Sequence, residues 1–386
     1  MRNAIYWIWL QNALGFANAK TGFAVSGSVS ARELFEMQRD ELAELRQFTA
    51  KQIDRLCDKE LSGVQDILTK CGLLGYDVLT PDDDDYPVRL KNIAAPPAVL
   101  YVSGALSQPE RMLYVGIVGS REPSEIAADI AYRFAAELSY AGAVIVSGGA
   151  RGIDSAAHSG ALSVFGRTVA VLGCGIDYEY NMGKHSMRKM IASSGAVVSE
   201  YPPGTPSLSA YFPQRNRIIS GLSHAVVVAQ SGKRSGALIT ARCAADQGRD
   251  VYVIENPLGL PGSEGSEHLL ESGAIPLVDP GMIINEYLAS FGSTLKPGRK
   301  LDELQKDEES KPKRYDGDAE ESVVEGLSEN ARSVYQYLKE DEKAHIDDIV
   351  RMTGIAPGRA AAALTELELL GMITALPGKN YRIKFI

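Results

Sequence analysis

Residues suited to phosphate binding occur in four short segments, each where an apolar run gives way to a helical pattern. The first is Gly119-Ser120-Arg121, directly after Tyr114–Val118. Glycine lets the backbone approach a ligand, a helix N-terminus favours an anion, and a guanidinium offers a planar fork of donors to phosphate. The segment therefore predicts a phosphate-binding loop. Taken alone, it is also explained by glycines that serve only the turn.

The other three segments carry the same residue types. In chain order they contain Gly148, Gly149 and Arg151, then Arg215, Asn216 and Arg217, then Lys233, Arg234 and Gly236. Each arginine has a structural alternative, since Arg151, for example, is equally suited to pairing with Asp154. Four such segments at one edge of a sheet favour a joint phosphate site over four separate structural pairs.

The elements that must position these segments form an α/β pattern between Leu113 and about Leu288. Amphipathic helical stretches separate six strand-length apolar runs, which are Tyr114–Val118, Ala143–Ser147, Thr168–Leu172, Ala196–Ser199, Ala225–Val228 and Asp250–Ile254. Short, fully apolar strands between helices indicate a parallel sheet covered on both faces. We therefore predict a Rossmann-like, doubly wound sheet, with ligands at the carboxyl ends of its strands.

The rest of the chain divides by composition. We predict a small helical domain over residues 1–75 and a proline-containing extended connecting segment over 76–110. The Rossmann-like domain spans 111–290, and a charged, flexible linker spans 291–326. Residues 327–386 show three helical stretches and a hairpin over Met372–Lys384, which is typical of a winged helix.

The composition excludes several classes of protein. With 40 Lys+Arg against 49 Asp+Glu the net charge is −9, which argues against a polybasic nucleic-acid binder but leaves room for a local basic cleft. The 4 cysteines and 5 histidines form no disulfide framework and no metal-ligand spacing. The apolar runs are too short for a membrane span, and the apolar start is interpreted as a folded helix rather than an export signal. A reducing cytoplasm is the expected setting, with no metal and no cofactor.

The motifs of common nucleotide enzymes are absent. Gly183-Lys184 is followed by His185 rather than the Ser or Thr of a phosphate-binding Walker loop, and neither G-x-G-x-x-G nor G-x-S-x-G occurs. Glu200 is the best single general-base candidate, but no nucleophile or orienting group accompanies it. We therefore predict no catalytic residues and a binding protein rather than an enzyme.

At the four segments the chain resembles the DprA family of bacterial DNA-processing proteins, also called Smf. The similarity covers about residues 80 to 280 and rests on motifs in a fixed order, which are YPVRLKNIAAPPAVLYVSG, GSR, SGGARGID, SEYPPG, FPQRNRIISGLS and SGALITARCAADQGRDVYVI. The resemblance implies a cytoplasmic homodimer, joined through the Rossmann-like domain, that binds single-stranded DNA during natural transformation. It also implies protection of that DNA, loading of the RecA recombinase, a SAM-like helical N-terminal domain and no cofactor.

The resemblance also assigns site residues. Arg121 matches the family's DNA-contacting arginine, the Gly148-Gly149 loop with Arg215 and Arg217 lines the same pocket, and Lys233 with Arg234 is expected to contact phosphate. The sequence YEYNMGKHSMRK departs from the family's usual Tyr-Pro turn, and there Lys184 or Arg188 is expected to contact DNA. Four aromatic residues near these loops are candidates for stacking on bases, namely Tyr178, Tyr180, Tyr211 and Phe212. A core position is equally open for Phe212.

Two other readings remain open. A nucleotide-processing enzyme on a related fold, such as a phosphoribohydrolase acting on nucleoside monophosphates, would need a catalytic acid that SGKRSGALITAR lacks. A nucleotide-sensing regulator would use the winged helix to bind promoter DNA. The third helix of the winged helix offers Arg359 against Glu366 and Glu368, which favours docking to a protein partner.

Overall fold

The computed structural model describes residues 3–106, 110–178, 185–255, 258–297, 327–341, 343–369, 372–376 and 379–383. The chain separates into two compact units, Met1–Gln305 and Lys306–Ile386. The first unit contains the sheet and all four candidate segments.

Within its described residues, unit 1 is built on a nine-stranded sheet. The strands are β1 (Asp77–Leu79), β2 (Leu100–Gly104), β3 (Tyr114–Val118), β4 (Val144–Ser147), β5 (Thr168–Leu172), β6 (Ala196–Ser199), β7 (Ala225–Val228), β8 (Asp250–Ile254) and β9 (Ile275–Leu277). Their spatial order is β1-β2-β6-β5-β4-β3-β7-β8-β9. Strands β3 to β9 pair in parallel, whereas β2 is antiparallel to both β6 and β1.

The helices of unit 1 pack on both faces and at one edge of this sheet. In chain order they are α1 (Ala4–Leu14), α2 (Thr21–Val25), α3 (Ala31–Glu36), α4 (Arg39–Glu44), α5 (Ala50–Leu56), α6 (Ser62–Leu74), α7 (Val88–Lys91), α8 (Glu125–Tyr140), α9 (Ile153–Ser163), α10 (His185–Ser194), α11 (Tyr211–Leu222), α12 (Gly236–Asp246), α13 (Glu264–Glu271) and α14 (Gly281–Phe291). Side chains of α8, α9 and α14 form the core on one face, and those of α7, α11 and α12 form it on the other. The predicted doubly wound α/β fold is confirmed.

The N-terminal helices share a core with the edge of the sheet. Trp7 and Leu10 of α1 pack in one buried cluster with Tyr101 of β2 and Ile176. The Trp7 indole also donates to the carboxylate of Asp82 over 2.9 Å. The segment 76–110, which we predict to be an extended connection, supplies β1 and β2. It is therefore a part of the sheet, and the prediction is corrected on this point.

Order continues past the predicted start of the linker at residue 291. Leu295 is buried in the core, and the amide of Lys296 donates to the carbonyl of Ala141 over 2.7 Å. The remainder of the predicted linker, from residue 298 to 326, lies outside the described residues. The start of that prediction is therefore wrong by about six residues, because residues 291–296 still pack against the core beside the end of α8.

Unit 2 has the winged-helix pattern that the sequence predicts. Its elements are α15 (Glu329–Asp341), β10 (Lys343–His345), α16 (Ile346–Thr353), α17 (Pro357–Leu369), β11 (Ile373–Leu376) and β12 (Asn380–Ile383). The predicted hairpin is formed by β11 and β12, and β10 pairs with β12 as a third strand. The turn that joins these two strands, residues 377–378, lies outside the described residues.

A buried histidine beneath the sheet makes the stability of unit 1 sensitive to acid. The Nδ1 of His158 lies 2.7 Å from Thr168 Oγ1, whose hydroxyl donates to the carbonyl of Ile145. Burial, with a smaller contribution from the charge of Arg215, lowers the pKa of His158 to about 3. Because the folded pKa lies below the unfolded pKa of about 6.5, stability is full above pH ~6.5 and declines as the pH falls towards ~3.

We expect His158→Gln, which retains a donor for Thr168, to reduce this acid sensitivity. The measurement is the melting temperature between about pH 7 and pH 4, which should fall less steeply in the variant than in the wild type. His268→Gln, at an exposed histidine, is the matched control and should follow the wild-type profile. Equal slopes for all three proteins would show that His158 does not titrate on unfolding.

Candidate nucleic-acid interface

The candidate site lies at the point where the strand order of the sheet reverses. From β3 the chain proceeds outward through β4, β5 and β6, and then returns to place β7 on the other side of β3. The loops that follow β3 and β7 therefore diverge and leave a crevice, as they do in other doubly wound sheets. A cleft of about 640 Å³ lies there, lined by residues 118–122, 150, 154, 209, 212–213, 215–216, 219, 232–237 and 239–240.

Two glycines allow the cleft walls to pack without intervening side chains. A Cβ on Gly119 would lie 2.6 Å from Cγ1 of Ile153, and one on Gly148 would lie 2.6 Å from both Arg215 Nη2 and Asp154 Oδ2. Contacts this short are not tolerated between such atoms. The glycines predicted from sequence therefore serve the close packing of the loops that form the cleft.

Three cationic side chains of the cleft are exposed to solvent. They are Arg121 from the β3–α8 loop and Lys233 and Arg234 from the β7–α12 loop. The guanidinium carbon of Arg121 lies 5.2 Å from the ring centroid of Phe212, within the range of a cation–π contact. The structure thus brings residues from two of the predicted segments together in one cleft, where Arg121 also contacts an aromatic ring.

Arg215 also reaches the cleft, but from beneath. It is buried, its Nη1 donates to the carbonyl of Gly148 over 2.7 Å, and its guanidinium lies 5.9 Å from the Phe212 centroid. Oδ2 of Asp154 accepts from the amides of Gly148 and Ala150. Burial raises the pKa of Asp154, whereas the Arg215 charge opposes that rise. Arg215 and Asp154 therefore fix the Gly148-Gly149 loop in place.

Arg217 does not line the cleft. Its Nη2 pairs with Oε1 of Glu200 over 2.7 Å, with side chains only 10% and 2% exposed. Its other nitrogens donate to the carbonyls of Ala95 and Gln214. Oε1 of Glu200 also lies 3.3 Å from the amide of Ala17, which links the N-terminal helices to the sheet. The buried ion pair therefore holds Arg217 away from the cleft, where the sequence predicted a DNA contact, and it also occupies Glu200, the general-base candidate for which no catalytic role was predicted.

The other residues predicted to contact DNA differ in where they lie relative to the cleft. Asn216 lines the cleft and donates to the carbonyl of Gly236, whereas Arg151 is exposed and lies 3.8 Å from Glu122 rather than pairing with Asp154. Lys184 and Tyr180 lie outside the described residues. Tyr211 stacks on Tyr201 at 4.3 Å, beside Phe16, and so belongs to an aromatic cluster next to the cleft.

Gln230 is a site residue that the sequence did not reveal. It is buried, its carbonyl accepts from the amide of Ser120 over 2.8 Å, and its Oε1 accepts from the amide of Ser124 over 2.8 Å. Its Nε2 donates to the carbonyl of Pro261 and to Oγ of Ser263. Gln230 therefore ties the loop that carries Arg121 to the loop that carries Lys233 and to residues 261–263.

The described residues contain neither a metal-binding cluster nor a membrane-spanning helix. No group of three or more His, Cys, Asp or Glu side chains is arranged to hold a metal ion. No helix in the described part of the chain is long and apolar enough to cross a membrane.

The fold and the cleft together define a doubly wound α/β protein with a cation-lined crevice, followed by a winged helix. Residues 77–288 match the family model of DNA recombination-mediator protein A, and residues 318–379 match that of the DprA winged helix domain. The chain belongs to the DprA family of DNA-processing proteins, whose members are also named Smf.

Individual relatives agree with this assignment. The chain is 36% identical to Protein Smf of Synechocystis sp. over 323 residues, covering 79% of each chain, and 33% identical to Protein Smf of Escherichia coli, covering 87% of this chain and 85% of the relative. The X-ray structure of DprA from Streptococcus pneumoniae superposes with a TM-score of 0.63 at 31% identity, over 74% of this chain and 98% of that one. A structure of DNA processing protein A from Helicobacter pylori, which concerns that protein's single-stranded DNA binding mode, gives a TM-score of 0.51 at 31% identity, over 56% and 96%.

Proposed function

We propose that the switch-point cleft of unit 1 binds single-stranded DNA. The observation that carries the proposal is one cleft that is lined by the ring of Phe212 and by three exposed cations, Arg121, Lys233 and Arg234, with Arg121 lying over that ring. Single-strand binding without sequence preference needs cations along the backbone and an aromatic surface for bases. The single-stranded DNA binding mode described for the H. pylori relative supports the proposal.

The geometry suggests how phosphate and base are bound together. In the free protein Arg121 lies over Phe212, so part of that ring is covered by the guanidinium. A phosphate that draws Arg121 away from the ring leaves an aromatic face for a base. Arg215, buried under the same ring, keeps its bond to the carbonyl of Gly148 and holds the platform in place.

The proposal is for a binding protein rather than for a nucleoside-monophosphate-processing enzyme. Two carboxylates line the described part of the cleft, and neither is placed as a catalytic acid: Asp154 is buried on backbone amides, and Glu122 is exposed beside Arg151. Release of free base from a nucleoside monophosphate, followed by chromatography, would contradict this part of the proposal.

We also propose the finer role that family membership implies. The chain protects single-stranded DNA entering a cell in natural transformation, loads RecA onto it, and acts in the cytoplasm as a homodimer through the Rossmann-like unit. Nuclease protection of oligo-dT, RecA filament formation in the presence of the chain, and sedimentation velocity test these three points separately. A chain that binds DNA but fails all three would keep the cleft proposal and remove this role.

The winged helix is proposed to dock a protein rather than to read a DNA groove. Both oxygens of Glu366 accept hydrogen bonds from Ser328, at 2.8 and 2.6 Å, so this carboxylate closes the start of α15. Glu368 and Arg359 remain exposed on α17. One exposed cation and one exposed carboxylate on the same helix offer little to a phosphate backbone. Full DNA affinity after removal of residues 327–386 is the expected result.

Gln230→Leu is expected to weaken single-strand binding by about ten-fold, although Gln230 does not touch the ligand. The change leaves the Ser124 amide without its acceptor, and we expect an accompanying loss of about 1–3 kcal/mol in the free energy of unfolding. The loop that positions Arg121 is thereby loosened. Oligo-dT affinity is measured well below the melting temperature, where the variant is folded.

A double-mutant cycle tests whether Gln230 affects DNA binding by positioning Arg121 or through a general loss of stability. If Gln230 acts through Arg121, adding Gln230→Leu to an Arg121→Ala protein should cause little further loss of affinity. Two losses that simply add would show that Gln230 affects binding independently of Arg121.

A further inference from the structure

A second group of aromatic and cationic side chains lies at the amino-terminal edge of the same sheet, opposite the cleft. Tyr140 precedes β4 and is 43% exposed, and Phe165 precedes β5 and is 90% exposed. Arg167 lines both of two adjoining grooves, of about 520 and 280 Å³. Lys296 and Tyr140 line the larger groove, and Phe165 lines the smaller one.

Phe165 occupies a backbone position that normally selects glycine. Helix α9 ends in a Schellman motif, in which the amide of Phe165 donates to the carbonyl of Leu162 and the amide of Gly166 donates to that of Ala161. This places Phe165 at the left-handed C′ position, with φ of 54°. An aromatic residue there has a conformational cost that glycine avoids.

The stability of unit 1 does not account for this phenylalanine. Phe165 is 90% exposed, so its ring gains almost no stabilisation from burial. The cost of the strained backbone is therefore not offset by packing. Glycine at residue 165 would satisfy the same two hydrogen bonds without strain. Residues that combine strain and exposure in this way are characteristic of binding surfaces.

The charges around the ring indicate the kind of ligand. Arg167, Lys296 and Arg111 are exposed, and Thr294, between α14 and Lys296, donates to the carbonyl of Arg111. Among the described residues that line the two grooves, Asp85 alone carries a carboxylate. Exposed rings among exposed cations match the bases and phosphates of a single strand.

We propose that these two grooves form a second contact for single-stranded DNA that already occupies the cleft. The proposal rests on the proposed function of the cleft. The two sites lie at opposite ends of the central strands, which rise about 3.3 Å per residue, so that β4 with its flanking residues separates them by roughly 17 Å. A short oligonucleotide fills the cleft alone, whereas a longer strand reaches both sites.

The test compares two lengths of oligo-dT on the full chain, with labelled DNA at trace concentration. One is about 8 nucleotides long, within the span of a single binding module, and the other is about 40. The variants are Phe165→Gly, which removes the ring and relieves the backbone, and Arg167→Ala. Each should bind the short strand as the wild type does and the long strand about five-fold more weakly, and Phe165→Gly should melt no lower than the wild type.

The controls distinguish this proposal from that for the cleft. Leu73→Ala removes another largely exposed apolar side chain, 82% in solvent on α6, and should bind both strands normally. Unchanged affinity of Phe165→Gly and Arg167→Ala for the long strand would overturn the second contact, and would direct the search to an acidic protein segment as the ligand. Loss of short-strand binding in these variants would also overturn it. Arg121→Ala with unchanged short-strand binding would instead remove the cleft proposal.

Discussion

Replacing Arg121 by alanine is expected to weaken the binding of single-stranded oligo-dT by about 10- to 100-fold while leaving the melting temperature unchanged. A hydrogen bond from a charged donor contributes about 1.5–3 kcal/mol, and the contact with the Phe212 ring positions that donor in the cleft. The side chain is exposed, so its removal leaves no buried partner uncompensated. Fluorescence anisotropy of a labelled oligonucleotide measures the affinity, and circular dichroism measures the melting temperature.

The matched control is Arg39→Ala, which removes an exposed arginine from α4 in the N-terminal helices. Arg39 pairs with Asp54 on the surface, and loss of such an exposed pair has little effect on stability. Each variant removes one positive charge from the chain. Equal affinity losses in the two would show that overall charge, and not the cleft, determines binding.

Arg217→Ala is expected to destabilise unit 1 by about 3–5 kcal/mol, the largest effect on stability that we predict for a single cation. The change leaves Glu200 as an uncompensated buried charge and removes the donors to Ala95 and Gln214. Urea unfolding followed by tryptophan fluorescence measures it, since Trp7 and Trp9 are buried in the helical core. Any loss of DNA binding should follow the unfolded fraction.

Replacing both partners distinguishes ion pairing from packing. Arg217→Met combined with Glu200→Met removes both charges and keeps much of the side-chain volume, and should recover part of the lost stability. A folded and fully stable Arg217→Ala protein with impaired DNA binding would instead restore Arg217 to the binding surface.

The main strands of the fold could be predicted because their apolar runs are uninterrupted. β3, β5 and β7 are Val-rich and buried at every position, and this is a signal of strands that are covered on both faces. The edge strands gave no such signal. β1 and β9 have three residues each and are partly exposed, and β9 contains Pro276, so neither shows a period that a sequence pattern can detect.

The position of a candidate site residue could be predicted where that residue lies in a loop that follows a strand. Arg121, Lys233 and Arg234 follow strands directly, and the topology alone places them at one edge. Arg215 and Arg217 were predicted together, but they are two positions apart on α11 and therefore project from nearly opposite sides of it.

Gln230 could not be found from sequence because its partners are distant along the chain. Its side chain reaches Ser124, 106 residues away, and Pro261, 31 residues away. A buried glutamine after a strand has no local pattern that separates it from any other polar loop residue. Only the three-dimensional arrangement of the three loops shows what it does.

The most direct test of the cleft proposal is the salt dependence of DNA binding by the whole chain. Anisotropy of labelled oligo-dT, single-stranded and then annealed to its complement, is followed across a series of salt concentrations. For a strand of about 8 nucleotides, which occupies the cleft alone, three phosphate-contacting cations predict that log K falls with log salt at a slope of about −2, with weaker binding of the duplex. Absent binding at low salt, or a preference for the duplex, would contradict the proposal.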